Sequence, residues 1–283
     1  MRSLLLALDG TPGSTGLIEA ALGLAGRHGA HIQATGIVNS DWIKRPQAVP
    51  AGGMIFKQKL ELRELTAAEN AVAASVQAFE LAAQQTDLSW GVCTLNGDPT
   101  EILRDAATEH DAIILSHDAC FAMERNAEDL APCVENLIKL EPRPVIVLPS
   151  GGETFVSWEG PALLAFDGSA SSSRALHFFA ALGFCAGRTV HVVTAAPTLG
   201  QAETIASAAC RLLSRYDCPD ARAIGTLAEG AASTSARILD IAKAVGATTL
   251  AMGAYGHQGF KTLFGSCTRR LIQDSRIPIF LVH

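Results

Sequence analysis

Residues 4–11 read LLLALDGT and residues 162–169 read ALLAFDGS, so each half of the chain opens with an apolar run that ends in Asp-Gly-hydroxyl. The halves also close alike, because residues 144–148 read PVIVL and residues 278–282 read PIFLV. A repeat on this scale is the signature of a duplicated structural unit. The length of 283 residues is enough for two domains of ordinary size. We therefore predict two domains that share one fold.

The two predicted domains comprise residues 1–150 and 151–283. The boundary falls in the run SGGE at residues 150–153, whose small and polar residues are typical of a linker. The first half is the longer one, and most of its additional length lies within residues 39–60.

The composition indicates a globular protein without a polyanionic partner. Hydrophobic residues make up 48% of the chain and charged residues 18%, so each half can bury a core. The net charge of −6 argues against nucleic acid or an anionic membrane as the main partner. Because neither a signal peptide nor an apolar run of membrane-spanning length is recognised, we expect a cytoplasmic location.

Seven cysteines are scattered along the chain, without a Cys-x-x-Cys pair. Most of them lie among apolar residues, as Cys185 does between Phe184 and Ala186. We therefore expect reduced, mostly buried thiols in a reducing compartment.

Short apolar runs alternate with stretches of helical periodicity in both halves. Continuous runs of this kind are typical of strands that are buried on both faces. Their alternation with helices predicts an α/β fold, with a five-stranded parallel sheet flanked by helices in each domain. The predicted strands span residues 2–8, 31–38, 89–95, 112–116 and 145–148 in the first half, and 162–166, 189–196, 222–227, 248–252 and 278–282 in the second.

Residues 39–58 interrupt this alternation. They contain Pro46, Pro50 and the pair Gly52-Gly53, which predict an irregular segment before a long helix at about residues 60–85. The sequence leaves open whether this segment covers a cleft or contacts a second chain.

A glycine-rich loop distinguishes the second half from the first. Residues 252–259 read MGAYGHQG and residues 264–267 read FGSC, between an apolar strand and a predicted helix at residues 266–274. Glycines let the backbone approach a ligand closely, and the free N–H groups at a helix start favour a phosphate. A tight turn without a ligand is the alternative interpretation of the same loop.

The chain resembles a tandem universal stress protein, with two domains of that family in one polypeptide. The resemblance rests on the strand-Asp-Gly-hydroxyl openings, the Gly-x-x-Gly loop that closes in Gly-Ser, and the terminal proline-apolar strands. It implies two domains of the adenine nucleotide alpha-hydrolase-like fold. It also implies an adenine-nucleotide site in the second domain: Asp167 at the adenosine, the backbone of Ala195 at the adenine, Gly253 and Gly256 beneath ribose and phosphates, and Gly265, Ser266 and Cys267 at the phosphates.

The sequence departs from the family pattern at two places. Eight residues, 257–264, separate Gly256 from Gly265, where the nucleotide-binding members have nine. The first half reads SHDA at residues 116–119 and APC at residues 131–133 where the loop and the Gly-Ser would stand. Since that segment offers no glycine and Pro132 lacks an N–H, we predict that the first half does not bind nucleotide in the family's way.

Five residues are candidates for other chemistry. We interpret Asp9 as the cap of a local turn, and the neighbours His117 and Asp118 as loop polarity rather than a metal site. His257 is interpreted as a loop histidine. Cys267 at a helix start suggests a lowered thiol pKa, but no base accompanies it, so catalysis is not inferred.

Three functions remain open at this point. The first is a stress-response regulatory protein that binds ATP or a related adenine nucleotide, with or without Mg²⁺, and is no enzyme beyond slow ATP hydrolysis. The second is a scaffold or interaction protein that binds no nucleotide. The third is an ATP-dependent enzyme of the related fold, such as a pyrophosphatase, which the position of the Ser-Gly-Gly run after a last strand disfavours.

Partners follow from the family resemblance. It implies that the two fused domains pair through the strands at residues 144–148 and 278–282, as an intramolecular pseudo-dimer. Whether two chains associate further is left open by the sequence. No nucleic acid, no membrane and no metal are expected.

Overall fold

The computed structural model describes residues 1–11, 14–48, 53–123, 130–149, 157–218, 220–228, 230–254 and 266–283. These residues form an α/β protein in which helices connect short strands, and most of these strands are apolar and buried. The described strands are Ser3–Leu8 (β1), His31–Val38 (β2), Trp90–Asn96 (β3), Ala112–Ser116 (β4), Val145–Leu148 (β5), Ala162–Ala165 (β6), Val190–Ala196 (β7), Ala221–Leu227 (β8), Thr249–Gly253 (β9) and Ile279–Val282 (β10).

Helices cover the strands, as predicted for a parallel sheet whose two faces are both apolar. The described helices are Ser14–His28 (α1), Ser40–Ile43 (α2), Met54–Ala83 (α3), Pro99–Ala106 (α4), Pro132–Leu140 (α5), Ala170–Ala181 (α6), Leu199–Leu213 (α7), Ala231–Ala244 (α8) and Ser266–Asp274 (α9). A short 3-10 turn, Ala107–Glu109, follows α4. Helix α3 begins six residues before its predicted start and takes up part of the segment that was predicted to be irregular.

The chain divides into two compact units. One contains Arg2–Asn136, and the other contains Met1 and the described residues from Leu137 to His283. In the first unit the strands are ordered β3-β2-β1-β4 and pair in parallel.

In the second unit the order is β5-β10-β9-β6-β7-β8. Its strands pair in parallel except for β5 and β10, which are antiparallel, with Phe280 opposite Ile146. The pairing of residues 144–148 with 278–282 is therefore present. Strand β5 is assigned to the second unit because it contacts β10. The division into units therefore does not test the predicted domain boundary at residues 150/151, which stays a prediction.

Two of the seven cysteines are oxidised, which corrects the expectation of uniformly reduced thiols. Cys185 and Cys218 form a disulfide across 33 residues of sequence, with their Cα atoms 5.1 Å apart. They lie in the loops that lead into the neighbouring strands β7 and β8, and the pairing of those strands brings the loops together. Cys93, Cys120, Cys133, Cys210 and Cys267 are free thiols. The cysteines therefore no longer support the expectation of a reducing compartment.

Across the described ranges, the model contains no helix that combines the length and the apolar character needed to cross a membrane.

Replacing Cys218 by Ala is expected to lower the free energy of unfolding of the second unit by about 2–4 kcal/mol, because the disulfide closes a long loop in the unfolded chain. Urea denaturation without reductant measures the change. The matched control is Cys210→Ala, which removes a half-buried free thiol of helix α7. Added dithiothreitol should lower the stability of the parent chain to that of the Cys218 variant. A parent chain that is insensitive to reductant would contradict the disulfide.

Candidate functional site

The carboxyl ends of β6 and β9 form the edge where the second unit can hold a ligand. The chain moves outward from β6 to β7 and β8, and β9 and β10 lie on the other side of β6. In an open parallel sheet, such a reversal of strand order leaves a crevice beyond the carboxyl ends of the two diverging strands. Ala165 of β6 pairs with Met252 of β9, so the segments that follow both strands leave the sheet side by side.

Asp167 stands in a tight turn at this edge. Its Oδ1 accepts a hydrogen bond from the backbone N–H of Ser169 at 2.9 Å. Ser169 in turn caps helix α6, because its Oγ accepts from the N–H of Ser172 at 3.2 Å. The turn thus joins β6 to α6 and fixes the carboxyl group of Asp167, which is only partly buried, at the mouth of the crevice.

Strand β7 places Ala195 next to the same turn. The N–H of Phe166 donates to the carbonyl of Val193 at 2.9 Å. The Thr194 hydroxyl donates to the carbonyl of Phe166 at 2.6 Å. These bonds extend the β6–β7 register past the end of β6, so Ala195 lies level with Asp167.

Gly253 has a packing role that the sequence did not reveal. A Cβ atom at this position would lie 2.5 Å from both the carbonyl carbon of Ser171 and the nitrogen of Ser172. These atoms belong to the backbone of the first turn of α6, which cannot move aside as a flexible side chain could. The glycine therefore lets α6 lie directly against the end of β9, whether or not a ligand is bound.

Helix α9 begins at the same edge. Ser266 is its first residue and is exposed. The buried Thr268 hydroxyl donates to the carbonyl of Ala254 at 3.0 Å, which ties the first turn of α9 to the residue after β9. Thr268 is a positioning residue that sequence reasoning missed; its place in the first turn of a helix after a glycine-rich loop was the available signal.

Cys267 does not have the lowered pKa that its place at a helix start suggested. Burial, and to a smaller extent the negative charge of Asp167, raise the pKa of the thiol to about 11. Desolvation of the thiolate outweighs the helix dipole here, because the side chain is largely enclosed.

Two of the predicted site residues, Gly256 and Gly265, lie outside the described residues, as does His257. The structure thus brings together Asp167, Ala195, Gly253, Ser266 and Cys267 at one edge of the sheet. This edge therefore contains the carboxyl group of Asp167, the bare backbone of Gly253 and the start of a helix, where Ser266 carries a hydroxyl group. Such a set can accept hydrogen bonds from a sugar or base and can donate to a phosphate.

The first unit contains the same turn, at Asp9, but other residues of the unit enclose it. Asp9 Oδ1 accepts from the N–H of Thr11 at 3.1 Å and from the Thr11 hydroxyl at 2.9 Å, which confirms the predicted local turn. The backbone N–H of Phe121 also bonds to Asp9. Asp9 Oδ2 is buried and has no hydrogen-bond partner. Desolvation raises the pKa of this carboxyl despite the hydrogen bonds that lower it.

The loop after β4, which contains Phe121 and Ala122, lies next to Asp9 and encloses it. Phe121 and Ala122 have φ angles of 48° and 63°, which side-chain-bearing residues rarely adopt. The Phe121 side chain is fully buried. Burial likewise raises the pKa of the Cys133 thiol, near Asp9, far above its ordinary value. An enclosed environment that disfavours charge supports the prediction that this unit does not bind a nucleotide in the family's way, and that prediction stays open to test.

His117 and Asp118 contact each other, with Nδ1 and Oδ1 3.4 Å apart. Within the described part of the chain, no group of three or more His, Cys, Asp or Glu side chains is arranged to hold a metal ion.

Comparisons with known proteins agree with this geometry. A protein-family model described as the universal stress protein family matches residues 160–283. Universal stress protein Slr1230 of Synechocystis sp. is 26% identical to the chain, over 99% of both sequences.

Solved structures show the same fold over the whole chain. A universal stress protein from Archaeoglobus fulgidus has a TM-score of 0.67 at 16% identity, with 99% of this chain and 96% of that one covered. A putative universal stress protein from Pseudomonas aeruginosa has a TM-score of 0.62 at 17% identity, with 100% and 93% covered.

The fold and the edge site define an α/β protein of the open, parallel-sheet class with a crevice at the reversal of strand order. The second half of the chain, residues 160–283, matches the universal stress protein family, and the chain is similar to a universal stress protein along its whole length.

Replacing Gly253 by Ala is expected to lower the free energy of unfolding by about 1–3 kcal/mol, because the added methyl group overpacks the contact with α6. Urea denaturation measures the change. The matched control is Gly200→Ala in helix α7, where a Cβ meets nothing within 4 Å and no loss is expected. Equal stabilities for the two variants would contradict the packing role of Gly253.

Alkylation of Cys267 by iodoacetamide is expected to be slow at pH 8, because a thiol with a pKa of about 11 holds roughly a hundredfold less thiolate than one at 9.0. Its rate should rise about tenfold per pH unit up to pH 10. Peptide mass spectrometry measures the rate at this cysteine alone. Asp167→Asn should accelerate the reaction at pH 8, since it removes a charge that disfavours the thiolate. A Cys267 that reacts as fast as in the urea-unfolded chain would contradict its enclosure.

Proposed function

We propose that the protein is a stress-response regulatory protein that binds ATP or a related adenine nucleotide at the edge site of its second unit. The observation that carries the proposal is the reversal of strand order at β6 and β9, where the turn of Asp167 and the first turn of α9 both follow the carboxyl ends of paired strands. Adenosine needs a hydrogen-bond acceptor for its ribose, whereas a phosphate needs hydrogen-bond donors. This edge of the sheet presents both kinds of group.

Each residue has a role that its chemistry supports. The Asp167 carboxylate accepts hydrogen bonds from the ribose hydroxyls, because one of its oxygens is already fixed by the Ser169 N–H. Ser266 and backbone N–H groups of the first turn of α9 donate to a phosphate, which the helix dipole favours. Gly256 and Gly265 would complete the phosphate cradle by backbone contacts, as the family motif implies.

The nucleotide would reach the site with or without Mg²⁺. A magnesium ion usually keeps several waters and is held chiefly by the phosphates, so it needs no dedicated protein cage. Any hydrolysis is proposed to be slow, since catalysis of phosphoryl transfer requires a positioned water and charge-stabilising groups. The proposed role is therefore binding and not turnover.

A scaffold that binds no nucleotide is the second candidate. The packing of Gly253 against α6 favours it, because that contact explains the first glycine of the motif without a ligand. The shortened spacing between Gly256 and Gly265 points the same way. The two candidates differ in a single measurable property, the affinity for an adenine nucleotide.

Titration calorimetry with Mg-ATP distinguishes the candidates. The parent chain is expected to bind close to one nucleotide per chain. Asp167→Asn is expected to weaken binding about tenfold or more, because it removes the charged acceptor but keeps the turn. Gly256→Glu is expected to abolish binding, through bulk and charge at the phosphates.

The matched control is Asp9→Asn, which makes the same change in the enclosed turn of the first unit and should leave the affinity unchanged. No binding by the parent chain would establish the scaffold function. Two nucleotides per chain, or an affinity that depends on Asp9, would contradict the assignment of the site to the second unit.

A further inference from the structure

Helix α3 extends well beyond the strands that it covers. It has 30 residues, whereas α7, which connects the equivalent strands of the second unit, has 15. A Cβ atom on Gly10 would lie 2.8 Å from the backbone of Ala71 and Val72, so α3 passes the carboxyl end of β1 at that point. Residues 54–70 lie on the N-terminal side of this contact, and all of them are exposed or half-buried. The N-terminal part of α3 is therefore an exposed helix.

The first turn of this exposed part is apolar, and residues 54–56 are here called the apolar tip. Met54, Ile55 and Phe56 are 59%, 65% and 77% exposed, and Leu60 and Leu62 extend the apolar surface into the next turns. Successive residues of a helix are about 100° apart, so the three side chains of the tip point to three sides of α3. A rigid groove covers one side of a helix, whereas the acyl chains of a lipid layer can surround all three.

The net charge of the whole chain conceals a basic segment around the apolar tip. Residues 40–63 contain five lysines and arginines and two acidic residues, so their net charge is +3. Because the whole chain carries −6, the remainder carries −9. An anionic surface attracts the basic segment and repels the rest of the chain, which orients the protein. The expectation of no membrane partner was based on the net charge alone and did not consider this distribution.

Contacts between α2 and α3 bring the basic residues together. Lys57 Nζ donates to the carbonyl of Arg45 at 3.4 Å, so the residues after α2 lie beside the first turns of α3. The Arg45 guanidinium lies 4.0 Å from the centre of the Trp42 ring and donates to the Trp42 carbonyl at 3.0 Å. Lys44 and Lys59 are exposed. We call Lys44, Arg45, Lys57 and Lys59 the basic patch, and it lies next to the apolar tip.

The direction of helix α3 adds to the positive potential of the basic patch. The N-terminus of a helix is the positive end of its dipole, which acidic residues in the first turn usually offset. The first turn of α3 contains no acidic residue. Its N-cap is Gly53, which has no side chain to accept from the first N–H groups. The same end of α3 is therefore apolar and positive, and this combination binds anionic phospholipid surfaces.

We propose that the apolar tip and the basic patch bind the surface of a membrane that contains anionic phospholipids. The three residues of the tip occupy about 4.5 Å of helix, which fits the shallow insertion of helices that bind at the membrane interface. Lys59 lies about one turn behind the tip, so its apolar stem can cross the interface while its ammonium group reaches a lipid phosphate. The protein lies on the membrane and does not cross it. This interaction is independent of nucleotide binding.

Cosedimentation of the full chain with lipid vesicles tests the proposal. The parent chain is expected to bind vesicles of equimolar phosphatidylcholine and phosphatidylglycerol, and to bind pure phosphatidylcholine vesicles at least about tenfold more weakly. Phe56→Ser should weaken binding to the anionic vesicles about tenfold, because it removes a large apolar side chain, whereas Phe56→Trp should retain binding. The matched control is Leu81→Ser, at a 59% exposed leucine of α3 outside the tip, which should leave binding unchanged. Circular dichroism verifies that these surface variants fold.

Charge variants test the basic patch separately. Lys44→Gln and Lys59→Gln should each weaken binding to the anionic vesicles about fivefold, since that is the contribution of one basic residue near an anionic surface. The matched control is Lys243→Gln, at an exposed lysine of α8, which should leave binding unchanged. Inorganic phosphate, at the phosphate concentration of the lipid, should not displace the protein from the vesicles, because a free anion offers nothing to the apolar tip.

Four results would overturn the proposal. The first is a parent chain that stays in the supernatant with the anionic vesicles. The second is vesicle binding that Phe56→Ser leaves intact, which would be adsorption by charge without insertion. The third is binding to polyuridylic acid that is tighter than binding to vesicles and depends on Lys59 but not on Phe56. The fourth is a parent dimer that Phe56→Ser dissociates in sedimentation velocity without vesicles, because a second copy would then cover the tip.

Discussion

The contact between the first turn of α6 and the end of β9 is the constraint on which the edge site depends. Gly253 carries no side chain, so the helix backbone lies directly against the strand. Ser169 caps that helix and Asp167 precedes the cap in the same turn. The distance from the Asp167 carboxyl to the start of α9 is therefore set by how closely α6 approaches β9. A larger residue at 253 would shift the acceptor away from the helix start, even though its side chain need not touch a ligand.

Duplication preserved this turn in both units while its surroundings diverged. Asp9 and Asp167 each accept from the N–H two residues further on, so both serve as structural turn caps. In the first unit the loop after β4 folds over the carboxyl group, buries it and favours its neutral form. In the second unit the carboxyl stays partly exposed and raises the pKa of a thiol in α9. The same residue in the same turn thus has different chemistry, and burial is the cause.

The fold could be predicted from the sequence because strands buried on both faces must be short and apolar, a pattern that no other element shares. The start of α4 is of a kind that sequence identifies, because the Asp98 side chain accepts from the N–H groups of Thr100 and Glu101 and Pro99 is the first helical residue. The disulfide could not be predicted, since strand pairing and not sequence distance brings Cys185 and Cys218 together. Residues 54–58, at the start of α3, were predicted as irregular, because the nearby prolines and glycines outweighed the helical propensity of these residues. At the site, residue identity predicts a helix start at Ser266 but not the desolvation of Cys267.

The central claim is that one unit binds an adenine nucleotide and the other does not. Photo-crosslinking with 8-azido-ATP, followed by peptide mapping, tests it most directly, because the label reports where the adenine lies. The account predicts label in the second unit, on the peptide that contains Ala195, and its displacement by unlabelled ATP. Displaceable label on the peptides around Asp9 or Phe121, or no displaceable label on either unit, would contradict it.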